Sequence, residues 1–456
     1  MICRSMSRLK NGNRSCHVGV DLTLMIPRGG NGGIKPAILT FLRSLGERFQ
    51  EAIKFTLLTN TSTYREVEFL MREQDRSICI ALTHDCPWPK PSNAQPRLLV
   101  CPNFNPSMLP KLGIDVFYCP FGPTNHSHPS IPTVSMVTDL LHRDYPFSIP
   151  QTERIWREEY FGDILTDADY VQCISRYTQE KLLQCYPVKR SQAFFTYLPI
   201  DQRLQDGCNE KPERPYFIYP ANFWVHKNHE VLLIAYRIYR QVTKEPWDLV
   251  LTGESGDRGE QMKGLAKRLG IDNNTQFAGH MDETTFAQVF AGASALLYPS
   301  LHEGFGIPLL EAMRFGIPII CSNSSSIPEI AGDAAIYVDG RKPLELAAAM
   351  TRLGEDVQLR ESLIRKGEER LKCFSIISEI DKLNVVFTRA KLANSLMARS
   401  ARALRRCRKR IGSAFQTART IKNRCSWQSL LKSGRDAVFA HSNRLVHRRL
   451  GSSSDR

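Results

Sequence analysis

Apolar positions along the chain fall into two rhythms. Short runs at 55–58, 78–82, 98–101 and 116–118 stop at turn-forming residues, which predicts buried strands of a parallel sheet. Between them lie helical or irregular stretches, as parallel-sheet units require. A β-branched, leucine-rich run over 17–26 predicts the first strand. It leads into Pro27-Arg-Gly-Gly-Asn-Gly-Gly-Ile-Lys-Pro36 and then an apolar-periodic helix over 37–49. Strand, glycine loop and helix in that order open a doubly wound sheet, with the loop at the carboxyl end of the strand. A strand over 170–174 is followed by Ser175, a residue suited to cap the next helix. Asp167 and Asp169, just before that strand, read as acids of a polar loop rather than a metal pair.

The rhythm breaks over 206–215, which is polar and contains Gly207, Pro212 and Pro215, and resumes with a strand at 216–220. A helix over 230–241, strands at 247–252, 276–279, 294–298 and 317–321, and helices over 344–371 make a second series. The pattern predicts an α/β chain with two doubly wound, Rossmann-like domains. Its expected parts are a flexible lead at 1–15, a first domain at 16–205, a linker at 206–215, a second domain at 216–375, a helix at 376–395 and a tail at 396–456. A chain of 456 residues can hold two cores, since single cores stop growing at roughly 250–300 residues.

The candidate chemistry is concentrated in Tyr298-Pro-Ser-Leu-His-Glu-Gly-Phe-Gly-Ile-Pro-Leu-Leu-Glu-Ala-Met-Arg-Phe-Gly-Ile-Pro318. Gly304 and Gly306 let loop amides come close to a ligand. Pro308 suits the first position of a helix, and Gly316 the position just past its end. A helix N-terminus beside a glycine loop favours a phosphate group. Glu303 in the loop and Glu311 one turn into the helix can flank that same ligand. Lys227 stands at a similar loop-to-helix junction, where an ammonium would meet a diphosphate held by amides. Each of these features alone is common in ordinary scaffold.

Taken as one string, the stretch resembles the Glu-x7-Glu signature of retaining, nucleotide-sugar-dependent glycosyltransferases of family four. Their fold is GT-B, two Rossmann-like domains facing each other across a cleft, with a final helix that crosses back to the first domain. The likeness runs over about 18–390 and is strongest over 216–338. It implies transfer of a hexose from a nucleotide diphosphate sugar to a glycan or lipid-linked acceptor, with retention at the anomeric carbon and no metal or other cofactor. In that scheme Lys227 and the amides around Phe305, Gly306 and Ile307 bind the donor phosphates, Glu303 accepts from sugar hydroxyls, and Glu311 takes the ribose hydroxyls. From the first domain the likeness brings Gly32 and Gly33, in a loop over the diphosphate, and Asp139, in the segment Thr133-Val-Ser-Met-Val-Thr-Asp-Leu-Leu-His-Arg-Asp-Tyr-Pro146. Asn222 and Gly253 stand in neighbouring loops on the donor side.

The string Phe223-Trp-Val-His-Lys-Asn-His229 is similar to mannosyltransferase-like members, which leans the sugar towards mannose. Two positions depart from the family. Thr138 replaces a histidine near the transferred sugar, and Asn222 replaces a common phosphate-pairing arginine. His142 is a nearby candidate to replace the first, against the plainer reading of a surface histidine. These departures are the best argument for a catalytically silent nucleotide-sugar-binding protein; an epimerase of the same fold is the other alternative. A glycosidase would need its two carboxylates facing each other across the scissile bond, whereas Glu303 and Glu311 share one loop and helix start.

Charge alters the picture only at one end. The chain has 61 lysines and arginines and 46 acids, a net +15, and residues 391–456 alone hold 17 of the former and 2 of the latter. The remainder is balanced. The cluster Arg402-Ala-Leu-Arg-Arg-Cys-Arg-Lys-Arg-Ile411 interleaves apolar and basic residues, which suits an anionic membrane surface or a solvated tail. No RNA-binding signature accompanies it, and nucleic acid is not an expected partner. The N-terminus lacks the apolar run of a signal peptide, and no run approaches the ~18 apolar residues of a membrane span. The 13 cysteines form no CxxC pair and read as reduced thiols. Together these predict a cytoplasmic protein, its tail either a peripheral contact to the inner face of the membrane or a solvated extension.

Overall fold

The computed structural model describes residues 15–27, 33–83, 86–90, 97–123, 126–199 and 212–407. Among these residues the first sheet has eight strands: β1 Cys16–Asp21, β2 Ile53–Asn60, β3 Arg76–Ala81, β4 Leu98–Val100, β5 Val116–Cys119, β6 Thr133–Val137, β7 Tyr170–Cys173 and β8 Ala193–Phe195. Their order is β4-β3-β2-β1-β5-β6-β7-β8. The second sheet has six: β9 Tyr216–Pro220, β10 Asp248–Thr252, β11 Thr275–Gly279, β12 Ala295–Tyr298, β13 Ile319–Ser322 and β14 Ala335–Val338, in the order β11-β10-β9-β12-β13-β14. Every pairing is parallel. Parallel strands covered by helices are buried on both faces, which is why β12 and β13 are buried at every position and apolar apart from Ser322.

Strand order reverses between β1 and β5 in the first sheet and between β9 and β12 in the second. At such a switch point, loops leaving adjacent strands part towards opposite faces, and a crevice opens at the carboxyl ends. The candidate site lies at these two crevices.

Some local elements differ from the pattern. β1 stops at Asp21, short of position 26, because the Asp21 carboxylate accepts from the Thr23 N–H (3.1 Å) and hydroxyl (2.5 Å). That turn ends the ladder and leaves Leu24 and Ile26 exposed. The first helix, Ile34–Arg48, begins before position 37 and includes Pro36 in its first turn, where a missing N–H costs nothing. Pro308 is the second residue of the helix Ile307–Arg314, not the first. β8 and β14 are edge strands outside the expected set.

The helix Ile376–Leu392 packs on the first sheet's side. Asp381 accepts a two-pronged bond from Arg48 (2.6 and 2.8 Å), Lys391 reaches Asp115 at 2.8 Å, and the Phe387 ring lies 5.4 Å from Tyr118. Residues Met1–Ser395 form one compact unit and Leu396–Arg456 a second, in which 396–407 are helical. Among the described residues no helix is long and apolar enough to cross a membrane.

Candidate functional site

At the β9/β12 crevice, two loops distant in sequence become neighbours because their strands pair. After β9 the chain makes a short turn, Val225–Lys227, and Asn228 takes a left-handed backbone (φ 65°) before the helix His229–Val242. The Asn228 amide donates to the Pro299 and Gly340 carbonyls (3.1 and 2.6 Å), which ties this turn to the loops after β12 and β14. Lys227 is thereby aimed at the β12 loop, where its Nζ donates to Glu303 Oε1 at 2.6 Å. Both side chains are nearly buried, 12% and 11% exposed. Burial alone would push the Glu303 carboxyl up; the charge and hydrogen bond of Lys227, helped by His226 and Ser300, outweigh it and hold the group below its ordinary value.

The loop itself is stitched from behind. Glu303 donates its N–H to Ser325 Oγ (2.8 Å), and the Ser326 hydroxyl bonds to the Glu303 and Phe305 carbonyls (2.9 Å each). The Phe305 side chain packs on Tyr197 and Phe374, so only its backbone is available to a ligand. Gly306 needs its glycine: φ is 114°, and a Cβ would crowd Leu309. Glu311 is buried within Ile307–Arg314. Tyr298 links the group. Its ring lies 6.0 Å from the Lys227 ammonium, and burial, then Glu303, then Glu311 among its neighbours, raise its phenol far above the usual range.

The first lobe closes on this loop. A Cβ on Gly304 would overlap the Thr138 carbonyl oxygen and lie 3.2 Å from Asp139 Cβ, while Thr178 donates to the Gly304 carbonyl at 3.2 Å. Gly33 sits where a Cβ would be 3.4 Å from Ile307 Cδ1, at the start of the helix Ile307–Arg314. Gly32 lies outside the described residues. The Asp139 carboxylate accepts from Arg157 (3.1 Å) and from the Leu141 N–H (2.9 Å). Burial pushes it up, but Arg157, His302 and the Leu141 amide hold it below its ordinary value. A further contact spans the lobes at Glu329, whose carboxylate accepts the Arg176 and Tyr177 N–H groups (2.7 and 2.8 Å) at the N-terminus of the helix Arg176–Cys185. Ser175 caps the third N–H of the same helix.

Other sequence candidates have different places. His142 is not on the surface: it is 2% exposed, bonded to Tyr186 (2.9 Å) and packed on Phe161. The following turn folds it into the first lobe's core. Asn222 accepts the Glu254 N–H at 2.9 Å and so joins the loops after β9 and β10. Gly253 (φ 118°) allows those loops to touch, since a Cβ would lie 2.6 Å from the Ala221 carbonyl oxygen. Asp169 accepts the Thr133 N–H (3.0 Å), a structural bond at the edge of β6.

Two cavities meet at this junction. One, about 490 Å³, is walled by Asp139 and Arg157 from the first lobe and by Trp224, His226, Lys227, Arg258, His302 and Glu303 from the second. The other, about 590 Å³, lies by the β1/β5 crevice and is walled by Leu24, Ile26, Phe121, Thr138, Trp156, Glu159, Tyr160 and Asp163. Asp139 and Arg157 line both, so their ion pair is the shared wall. His226, His302, Arg157 and Arg258 are additions to the sequence candidates. For the two histidines the only signal was adjacency to Lys227 and Glu303. Burial and then Lys227 lower His226 to about 4. His302 Nδ1 lies 3.3 Å from the buried Asp144 carboxylate, on the other lobe; burial raises that acid, but His302, Lys181 and Tyr177 bring it to about 2. The arrangement offers an ammonium, helix-start amides and ionised carboxylates around one space, a combination suited to a polyhydroxylated diphosphate.

Comparison with known proteins bears on family and fold. Residues 201–370 match the model of the family described as glycosyl transferases group 1. Over 178 residues the chain is 31% identical to O-antigen chain mannosyltransferase B of Escherichia coli, covering 39% of this chain and 45% of that protein. Over 217 residues it is 24% identical to the O-antigen chain mannosyltransferase RfbU of Salmonella typhimurium, covering 47% and 59%. The chain thus spans about half the length of these relatives. The structure of sucrose-phosphate synthase from Thermosynechococcus elongatus superposes with a TM-score of 0.60 at 18% identity, over 83% of this chain and 100% of the other. The architecture is GT-B.

Proposed function

Because residues 201–370 match the model of the glycosyl transferases of group 1, we propose that the protein is a retaining, metal-independent glycosyltransferase. In this reading it moves a hexose, mannose by preference, from a nucleotide diphosphate sugar to a glycan or lipid-linked acceptor in polysaccharide or glycoconjugate synthesis. The observation that carries the proposal is the Lys227–Glu303 pair at the β9/β12 crevice, facing Asp139 from the opposite lobe across one cavity. The resemblance to O-antigen mannosyltransferases supports mannose and a glycan acceptor.

In the reaction, the bond from the anomeric carbon to the diphosphate oxygen breaks. An acceptor hydroxyl oxygen bonds to that carbon on the same face, and its proton passes to a freed phosphate oxygen. Negative charge grows on the leaving diphosphate, so donors already fixed in place stabilise the transition state. Lys227 and the N-terminus of Ile307–Arg314 supply them. An ammonium has three N–H groups, so Lys227 can keep Glu303 and still meet phosphate. Glu303 accepts from hydroxyls of the donor sugar, and Glu311 from the two ribose hydroxyls. Asp139, kept ionised by Arg157, faces the positive charge that develops at the sugar ring. The second cavity, with Trp156 and Tyr160 beside Glu159, would take the acceptor: aromatic faces stack on sugar rings and carboxylates accept from hydroxyls.

The test is a thermal-shift screen with GDP, UDP and ADP, followed by turnover with the matching sugar donors and glycan acceptors. One nucleoside diphosphate should raise the melting temperature, and its donor should be turned over with the anomeric configuration kept. Binding with no turnover of any donor would favour the silent binding protein, to which Thr138 and Asn222 point. The basic excess of 391–456 supports contact with an anionic membrane surface. Removing 396–456 should leave donor binding unchanged and reduce pelleting with phosphatidylserine vesicles at low salt; equal pelleting would remove the tail from that role.

A further inference from the structure

Three helices of the second lobe, His229–Val242, Gly256–Leu269 and Ile307–Arg314, start at the carboxyl ends of β9, β10 and β12. The middle one carries Arg258 in its first turn, and Arg258 lines the same cavity as Lys227 and Glu303. A cation there stands against the positive end of its own helix dipole, a place that favours anions. Glu230, in the first turn of the neighbouring helix, supplies one anion and bonds to Arg258 Nη2. The buried Arg258 Nε, however, has no hydrogen-bond partner among the described residues. A buried guanidinium N–H without an acceptor calls for an explanation, and the planar fork is shaped for carboxylate or phosphate oxygens.

The balance of charge in the cavity points the same way. Lys227 is shared with Glu303, and Arg157 with Asp139 and Glu153. Asn222, which could have carried a cation on the adjoining loop, is a neutral amide bonded to the Glu254 N–H. A nucleoside diphosphate brings more negative charge than one carboxylate-shared ammonium can meet. We propose that Arg258 is the second cation of the diphosphate subsite, binding a phosphate oxygen of the same nucleotide that Lys227 meets. The proposal rests on the reading of this cavity as a nucleotide-sugar site and adds the residue that reading lacks.

Calorimetric titration of the wild type with GDP, UDP and ADP, and with the corresponding nucleosides, decides first whether the cavity takes a nucleoside diphosphate. If none binds, the proposed function falls and this assignment with it. If one binds, Arg258→Gln should weaken it by about 10- to 100-fold while leaving the parent nucleoside's affinity unchanged. Arg258→Lys should recover part of the loss. Glu230→Gln, which removes only the partner carboxylate, should leave diphosphate affinity unchanged or tighten it. Equal diphosphate affinity in Arg258→Gln and wild type would overturn the assignment while sparing the function. So would a matching loss in Glu230→Gln or a parallel loss of nucleoside binding, since either means that Arg258 only holds the fold. Should Arg258→Gln fail to fold, full diphosphate affinity in Arg258→Lys together with a loss in Glu230→Gln would overturn it equally.

Discussion

At the β9/β12 switch point the crevice is walled by paired ions, Lys227 with Glu303 and Arg258 with Glu230, and by helix starts. At the β1/β5 switch point the corresponding crevice is walled by Leu24, Ile26, Phe121, Trp156 and Tyr160, with Glu159 and Asp163 at hand. Topology gives both lobes the same opening, and side chains decide what can enter it. In the proposed reading, the first opening holds fixed charge for a ligand that gains charge as it reacts. The second offers flat apolar faces and hydrogen-bond acceptors, which fit a neutral ring with hydroxyls. The Asp139–Arg157 pair stands between them and belongs to both.

The sharpest way to break this division is Lys227→Met. Loss of a fixed donor to the leaving group should cut the transfer rate by about 10²- to 10³-fold in initial-rate assays. A rate within a factor of a few of wild type would mean that the charged crevice is not the reacting end. Next in size, Glu311→Ala should weaken nucleoside diphosphate binding by roughly 10-fold or more. Wild type should prefer the ribonucleotide over its 2′-deoxy form, and the variant should lose that preference; a retained preference would remove Glu311 from the ribose. On the other side, Trp156→Ala should raise the acceptor KM by roughly 5- to 10-fold through lost stacking and leave donor affinity alone. A change in donor affinity instead would erase the distinction between the crevices.

The smallest effect concerns pH. Burial and then Lys227 hold His226 at about 4 in the fold, below its ordinary 6.5. Above 6.5 both folded and unfolded chains are neutral there. As pH falls through 6.5 the unfolded chain takes up the proton first, so stability declines until the folded value near 4 is passed. His226→Gln should flatten part of that decline in denaturant midpoints measured from pH 7 to 4. His17 and His229, held by burial at about 4 and about 3, should sustain the remainder. An unchanged slope would mean that His226 is solvated in solution.

The charged crevice could be read from sequence because its parts lie in two short strings, each at a strand-to-helix junction where composition reports geometry. Glu303, Gly306 and Glu311 fall within one loop and helix, and Lys227 needs only the pairing of β9 with β12 to join them. The other crevice could not be read this way. Trp156 and Tyr160 are aromatic residues on a helix, which in sequence look like core. Thr138 contributes a carbonyl against Gly304, an atom every residue has. Arg157, Asp144 and His302 acquire their contacts from partners set by the closed lobes, and Glu329 caps a helix of the opposite lobe. His142 shows the reverse error, a polar residue that the fold takes into its interior.

Gly304 lies so close to the Thr138 carbonyl that the loop bearing Glu303 has no spare room against the first lobe. A single methyl group at that position would work as a doorstop, keeping the jaws ajar and letting solvent reach a sugar already loosened from its carrier. Water would then compete with the intended recipient for the same carbon. On the proposed reading, a residue with no side chain would decide whether the sugar is delivered or wasted.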